Sequence, residues 1–204
     1  MFITFEGGEG AGKSTQARLL SEALNTAGIP AQSTREPGGT ANAEALRELL
    51  LDRERAWTID AEVLLHFAAR AEHIAVAIRP ALECGATVVC DRFSDSTMAY
   101  QGYGLGGDRA MIATLTRLLP IMPDLTFVLH VTESVATHRL SGRRQALDRY
   151  EVMDPAFHDR VRSAFLDIAD ANPARCIVID AEPDSGSVHR VIWHTVQTRL
   201  PTLQ

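Results

Sequence analysis

Gly7-Gly8-Glu9-Gly10-Ala11-Gly12-Lys13-Ser14 fits the pattern Gly-x-x-x-x-Gly-Lys-Ser of a phosphate-binding loop. Its setting is the one the motif requires. The apolar residues 2–5 read as a short buried strand, and residues 14–25 carry Ala17, Leu20 and Leu24 at helical spacing. Glycines in such a loop let backbone N–H groups face an anion at a helix N-terminus. Gly7, Gly8, Glu9, Gly10, Ala11, Gly12, Lys13, Ser14 and Thr15 are therefore expected around the phosphates of a nucleotide. Lys13 should reach the β- and γ-phosphates, and Ser14 should hold Mg²⁺. The loop leaves open what receives the phosphate.

Beyond the loop, strand and helix patterns alternate. Strands are expected at residues 29–33, 86–90, 125–131 and 176–179. Helices are expected at 43–51, 60–83, 96–101, 109–119, 134–140, 155–171 and 185–200. In the longest helix, Val63, Phe67, Ala71, Ile74 and Ile78 fall on one face, and Pro155 suits the first turn of its helix. This order defines an α/β fold in one domain, residues 1–204: a five-stranded parallel sheet with helices on both faces. A polar, basic stretch at about 141–151 reads as a small lid.

The bulk composition fits a soluble globular chain: 204 residues, 46% hydrophobic and 23% charged. A net charge of −6 argues against a nucleic-acid partner. No apolar run approaches the ~20 residues of a membrane span, and the N-terminus reads as a strand rather than a signal peptide. The three cysteines lack paired spacing and read as reduced thiols of a cytoplasmic protein.

Other stretches carry chemistry. Asp91 ends an apolar strand, where sheet ligands bind, and should support Mg²⁺ beside Ser14. Arg92 follows as a fork for a second phosphate. Arg143, Arg144 and Arg149 sit in the lid stretch, where arginines on a closing loop can neutralise a transferring phosphoryl group. Leu140-Ser141-Gly142-Arg143-Arg144-Gln145 imitates a transporter-ATPase signature, but arginine replaces the needed glycine. No NKxD or DxxG stretch supports a GTPase.

Four motifs then converge: TREPGGT (34–40), FAARAEH (67–73), DRFSDSTMAYQG (91–102) and DRYE (148–151). In this order and spacing the chain resembles the bacterial thymidylate kinase family over residues 2–180. The resemblance implies a P-loop nucleoside-monophosphate-kinase fold and the reaction of ATP with dTMP, with Mg²⁺, to give ADP and dTDP in dTTP biosynthesis. It implies a homodimer. By motif, Arg92 grips the dTMP phosphate with Arg35 or Arg47, and Glu36 belongs to the same acceptor site. Arg70 contacts thymine, Thr97 and Gln101 line its pocket, Tyr100 crowds the sugar 2′ position, and Glu9 faces the sugar. The loop at 180–182 lies near the adenine. The P-loop holds no arginine, so the resemblance assigns the transition-state charge to Arg143, Arg144 or Arg149. At the position where relatives stack a phenylalanine on thymine stands His66, which at four residues before Arg70 should share its helix face; Phe67, next to it, belongs to the apolar stripe and reads first as core, and the stacking contact is left open between the two rings.

Overall fold

The computed structural model describes residues 1–141 and 148–199. The strands are β1 (Phe2–Glu6), β2 (Ala31–Arg35), β3 (Thr87–Asp91), β4 (Leu125–His130) and β5 (Cys176–Asp180). They form one parallel sheet in the order β2-β3-β1-β4-β5. The helices are α1 (Lys13–Thr26), α2 (Ala41–Leu51), α3 (Ile59–His73), α4 (Arg79–Glu83), α5 (Ser94–Thr97), α6 (Arg109–Arg117), α7 (Glu133–Ser141), α8 (Pro155–Ala171) and α9 (Ser185–Arg199). Residues Ile74–Ile78 and Met98–Gly104 are π-helical.

Both faces of the sheet are covered, which is why its central strands are mostly apolar and their interior threonines, Thr4 and Thr126, are buried and hydrogen-bonded to each other at 2.8 Å. Side chains alternate along β1. Ile3 and Phe5 pack with Leu20 and Leu24 of α1 and Ile192 of α9. Phe2 points the other way, onto Ile74, Ile78, Val88 and Phe93. Helix α8 covers that second face further along, through Phe157, Val161, Ala164 and Phe165. Its start is fixed by sequence: the Asp154 carboxylate accepts the Phe157 N–H at 2.7 Å, and Pro155 occupies the first turn.

Two elements depart from expectation. Strand β2 runs over 31–35 rather than 29–33. Pro30 has no N–H, and its carbonyl accepts Thr87 N just before the ladder begins. After Ala31 the strand's residues are polar, so backbone pairing rather than hydrophobicity defines it. The second departure is the long helix. Its stripe fails at Ala71, which is exposed, while Arg70 and His73 are buried. The π-turn at Ile74–Ile78 widens the helix there and returns Ile74 and Ile78 to the core. Cys84 is exposed, Cys90 and Cys176 are buried, and all three are free thiols. No helix among the described residues is long and apolar enough to cross a membrane.

Candidate active site

Strand β1 lies between β3 and β4, so the crevice beyond its carboxyl end is a switch point of the sheet. A cavity of about 640 Å³ opens there. From the P-loop it is lined by Glu9, Gly10, Gly12, Lys13, Ser14 and Thr15. Gly7 and Ala11 stand behind this wall. A Cβ on Gly7 would meet the Leu129 carbonyl at 2.4 Å, so only glycine lets the loop approach β4 this closely.

The Lys13 ammonium donates to the Gly8 carbonyl at 2.6 Å. Burial, with the Arg92 charge adding to it, pulls its pKa down to about 8. Ser14 Oγ donates to Asp91 Oδ2, and Asp91 Oδ1 is buried without a hydrogen-bond partner. A hydroxyl beside a carboxylate with a spare oxygen is a donor set that fits Mg²⁺. No cluster of three or more metal-binding side chains occurs among the described residues.

Arg92 has φ of 70°, a left-handed conformation no other non-glycine residue adopts among those described. That costs on the order of 1 kcal/mol or more and marks a residue held for a purpose. The holding groups are on both sides. Arg92 N donates to Phe5 O at 2.9 Å, and the next N–H, of Phe93, donates to Glu6 Oε1 at 2.8 Å. The guanidinium reaches Glu9 Oε1 at 2.5 Å, Tyr100 Oη at 3.0 Å, Ser96 Oγ at 3.2 Å and Gly7 O at 3.3 Å. It therefore joins the P-loop to the second π-helical segment. Burial, reinforced by Asp95, pushes the Glu6 carboxyl up to about 8.

At the other end of the cavity stand His66, Arg70, Thr97 and Gln101, all buried. Arg70 Nε donates to Glu36 Oε2 at 2.7 Å, and Nη2 donates to Phe93 O at 3.0 Å and Thr97 Oγ1 at 3.2 Å. Its Nη1 is buried and unpartnered. His66 Nε2 lies 3.2 Å from Tyr150 Oη. Burial, with Arg70 and Arg149 nearby, pulls the imidazole down to about 3, so it is neutral at any ordinary pH. Arg35 and Arg47 also line the cavity. Arg35 pairs with Glu44 at 3.1 Å, and Arg47 donates to Pro37 O at 2.8 Å.

Not every expected residue comes to this cavity. Phe67 packs with Val63 and Ile112 instead, with the Arg70 guanidinium 4.9 Å from its ring; one helical position away from His66, it turns to the core. Arg149 pairs with buried Glu62 at 2.9 Å rather than with the P-loop, because Glu62 is a desolvated carboxylate that needs a cation. Arg143 and Arg144 lie outside the described residues. Sequence reasoning missed Tyr150 and Glu62. Tyr150 Oη donates to Glu62 Oε1 at 2.8 Å and accepts from Gln101 Nε2 at 3.1 Å, which makes it part of the wall beside His66. The DRYE stretch was the available signal. The loop after β5 is tied to the P-loop by Arg139, which donates to Ala181 O at 2.9 Å and to Gly10 O at 3.4 Å.

A P-loop on a parallel sheet of this order, facing a cluster of arginines across one cavity, defines a P-loop nucleoside-monophosphate kinase. A family profile described as Thymidylate kinase matches residues 5–192. Curated thymidylate kinases of Gluconobacter oxydans and Pseudomonas fluorescens Pf-5 are 48% and 51% identical, covering 98% and 100% of this chain and 95% and 96% of theirs. The crystal structure of thymidylate kinase from Ehrlichia chaffeensis is similar with a TM-score of 0.78 at 38% identity, over 97% of this chain and 98% of that one. The chain belongs to the thymidylate kinase family.

Proposed function

We infer that this chain phosphorylates dTMP to dTDP at the expense of ATP, with Mg²⁺, in the cavity at the end of β1. The observation that carries the site assignment is Arg92, which touches the P-loop through Gly7 and Glu9 and the acceptor end through Tyr100. A phosphate held by Arg92 would stand next to one bound by the P-loop.

The acceptor is a phosphate oxygen, already anionic near neutral pH, so no general base is needed. Catalysis is alignment and charge neutralisation. Lys13 leaves the Gly8 carbonyl for the donor phosphates, where an anion restores its full charge. Arg92, assisted by Arg35 and Arg47, holds the acceptor in line. Ser14 and Asp91 would hold Mg²⁺, which neutralises phosphate charge when bound. Arg143 or Arg144 supplies the remaining cation from the lid. Arg149, paired with Glu62, serves the base end. Arg70 and Gln101 line the pyrimidine end, where the Gln101 oxygen is the part of its amide left free of Glu62 and Tyr150, and neutral His66 stands where relatives place a stacking ring. Glu9 and Tyr100 flank the sugar.

Two further points belong to this reading. Leu64, Ala68, Ala71 and Ala75 are exposed at i, i+4, i+7 and i+11 along α3 and the π-turn, an apolar stripe suited to a homodimer. The substrates imply a cytoplasmic location.

The site assignment is tested by Arg70→Ala. The KM for dTMP should rise about tenfold or more with the KM for ATP unchanged; an unchanged KM for dTMP would remove Arg70 from the acceptor pocket.

A further inference from the structure

Thr34 and His73 belong to the two motifs TREPGGT and FAARAEH, yet neither lines the cavity. His73 is fully buried, and both its ring nitrogens are engaged: Nδ1 lies 3.0 Å from Glu36 Oε1, and Nε2 lies 2.7 Å from Thr34 Oγ1. The second oxygen of Glu36 holds Arg70 Nε. An unbroken chain thus runs from Thr34 through His73 and Glu36 to Arg70.

We propose that His73 is a positioning residue for base recognition, holding Glu36 so that the Arg70 guanidinium keeps its place in the cavity wall. The proposal rests on the reading of Arg70 as the base contact. A carboxylate only accepts, so Nδ1 carries the proton towards Glu36, while Nε2 shares its hydrogen bond with the Thr34 hydroxyl. Both oxygens of Glu36 are thereby committed, one to His73 and one to Arg70. Without His73, the free oxygen of Glu36 would swing onto Arg70 Nη2 to form a bidentate pair. Nη2 is the nitrogen now held by Phe93 O and Thr97 Oγ1. Competition for it would rotate the guanidinium out of its place in the cavity wall.

The loop above the pair is shaped to it. Gly39, with φ of 86°, passes so close that a Cβ would meet His73 Nε2 at 2.5 Å and Thr34 Oγ1 at 2.6 Å. Both contact atoms are the hydrogen-bonded ones, so glycine at 39 lets the backbone close over the Thr34–His73 bond. The two motifs are stitched together at this point.

The test compares His73→Leu, His73→Asn, Thr34→Val, Arg70→Ala and the double variant Arg70→Ala/His73→Leu. For each, kcat, the KM for dTMP and the KM for ATP are measured separately, with thermal unfolding as a check on folding. His73→Leu should raise the KM for dTMP about tenfold, with the KM for ATP within about twofold. His73→Asn, whose amide N–H can replace Nδ1–H, should recover most of that loss. The double variant should be no worse for dTMP than Arg70→Ala alone. If His73→Leu does not fold, Thr34→Val decides, with a smaller rise confined to the same constant. An unchanged KM for dTMP, an equal rise in both KM values, or additive effects in the double variant would overturn the proposal. An Arg70→Ala variant with unaltered KM for dTMP would instead sink the underlying reading of Arg70.

Discussion

The carboxyl group of Glu6, the last residue of β1, accepts the backbone N–H of Phe93 at 2.8 Å. The same carboxyl group accepts the Ser96 hydroxyl at 2.6 Å and the Ser96 N–H at 3.3 Å. It thereby grips the chain just after Arg92, whose guanidinium in turn donates to Ser96 Oγ. Glu6→Ala should lower kcat about tenfold or more by letting Arg92 relax from its left-handed conformation. It should also cost about 1–3 kcal/mol of stability through the donors left unpaired. Steady-state kinetics and urea unfolding measure both; a loss of stability with unaltered kcat would separate Glu6 from Arg92.

The Lys13 ammonium carries a pKa of about 8, below the ordinary lysine value, because burial and then Arg92 disfavour its charge. Its folded pKa is depressed, so the unfolded chain holds this proton more tightly, and the penalty to folding fades as pH rises above 8. ATP reverses the shift, since the phosphates favour the ammonium. Binding of ATP should therefore weaken as pH rises through about 8 and should take up a proton at pH 8.5. Calorimetric titration in two buffers of different ionisation enthalpy reads that uptake. Lys13→Arg should remove it, and equal uptake by that variant would assign the proton elsewhere.

His66 is held neutral, with its pKa near 3, by burial and by the arginines around it. The unfolded chain would protonate it near 6.5, so stability is present above that value and is lost as pH falls from 6.5 towards 3. The slope contributed by one such proton is about 1.4 kcal/mol per pH unit. His66→Phe should abolish this contribution, so its stability advantage over the parent should grow between pH 6.5 and 4.5. Parallel urea-unfolding profiles for the two proteins would contradict the assignment.

Arg149 lies against Glu62 and above the Tyr150 ring at 5.3 Å. Arg149→Ala should therefore raise the KM for dTMP and leave most of kcat, whereas Arg143→Ala or Arg144→Ala should lower kcat with little change in KM. A larger kcat loss at Arg149 than at either of the others would return the transition-state charge to that residue.

Much of this was legible in the chain itself, for identifiable reasons. The P-loop joins a strand to a helix within a few residues, and the buried strands β1, β3 and β4 are mostly apolar and β-branched or aromatic, so local pattern suffices. Strand β2 was misplaced by two residues because Gln32, Ser33 and Thr34 carry no hydrophobic signal; their place is set by hydrogen bonds to β3. The π-turns were illegible, since one extra residue in a helical turn leaves no mark in spacing. The Glu62–Tyr150–Gln101 network joins residues up to 88 positions apart, and only folding brings them together. Position 66 is four residues before Arg70 and shares its helix face, while position 67 belongs to the apolar stripe, so spacing already points His66 to the cavity and Phe67 to the core.

ADP release with ATP, Mg²⁺ and each of dTMP, dUMP, dCMP and dAMP as acceptor is the most direct measurement of what this cavity does. The arrangement of Arg92, Arg70, Gln101 and Tyr100 calls for dTMP to give the highest kcat/KM, with dCMP and dAMP far behind. Failure of dTMP to accept phosphate, or a higher kcat/KM for dCMP or dAMP, would contradict the assignment.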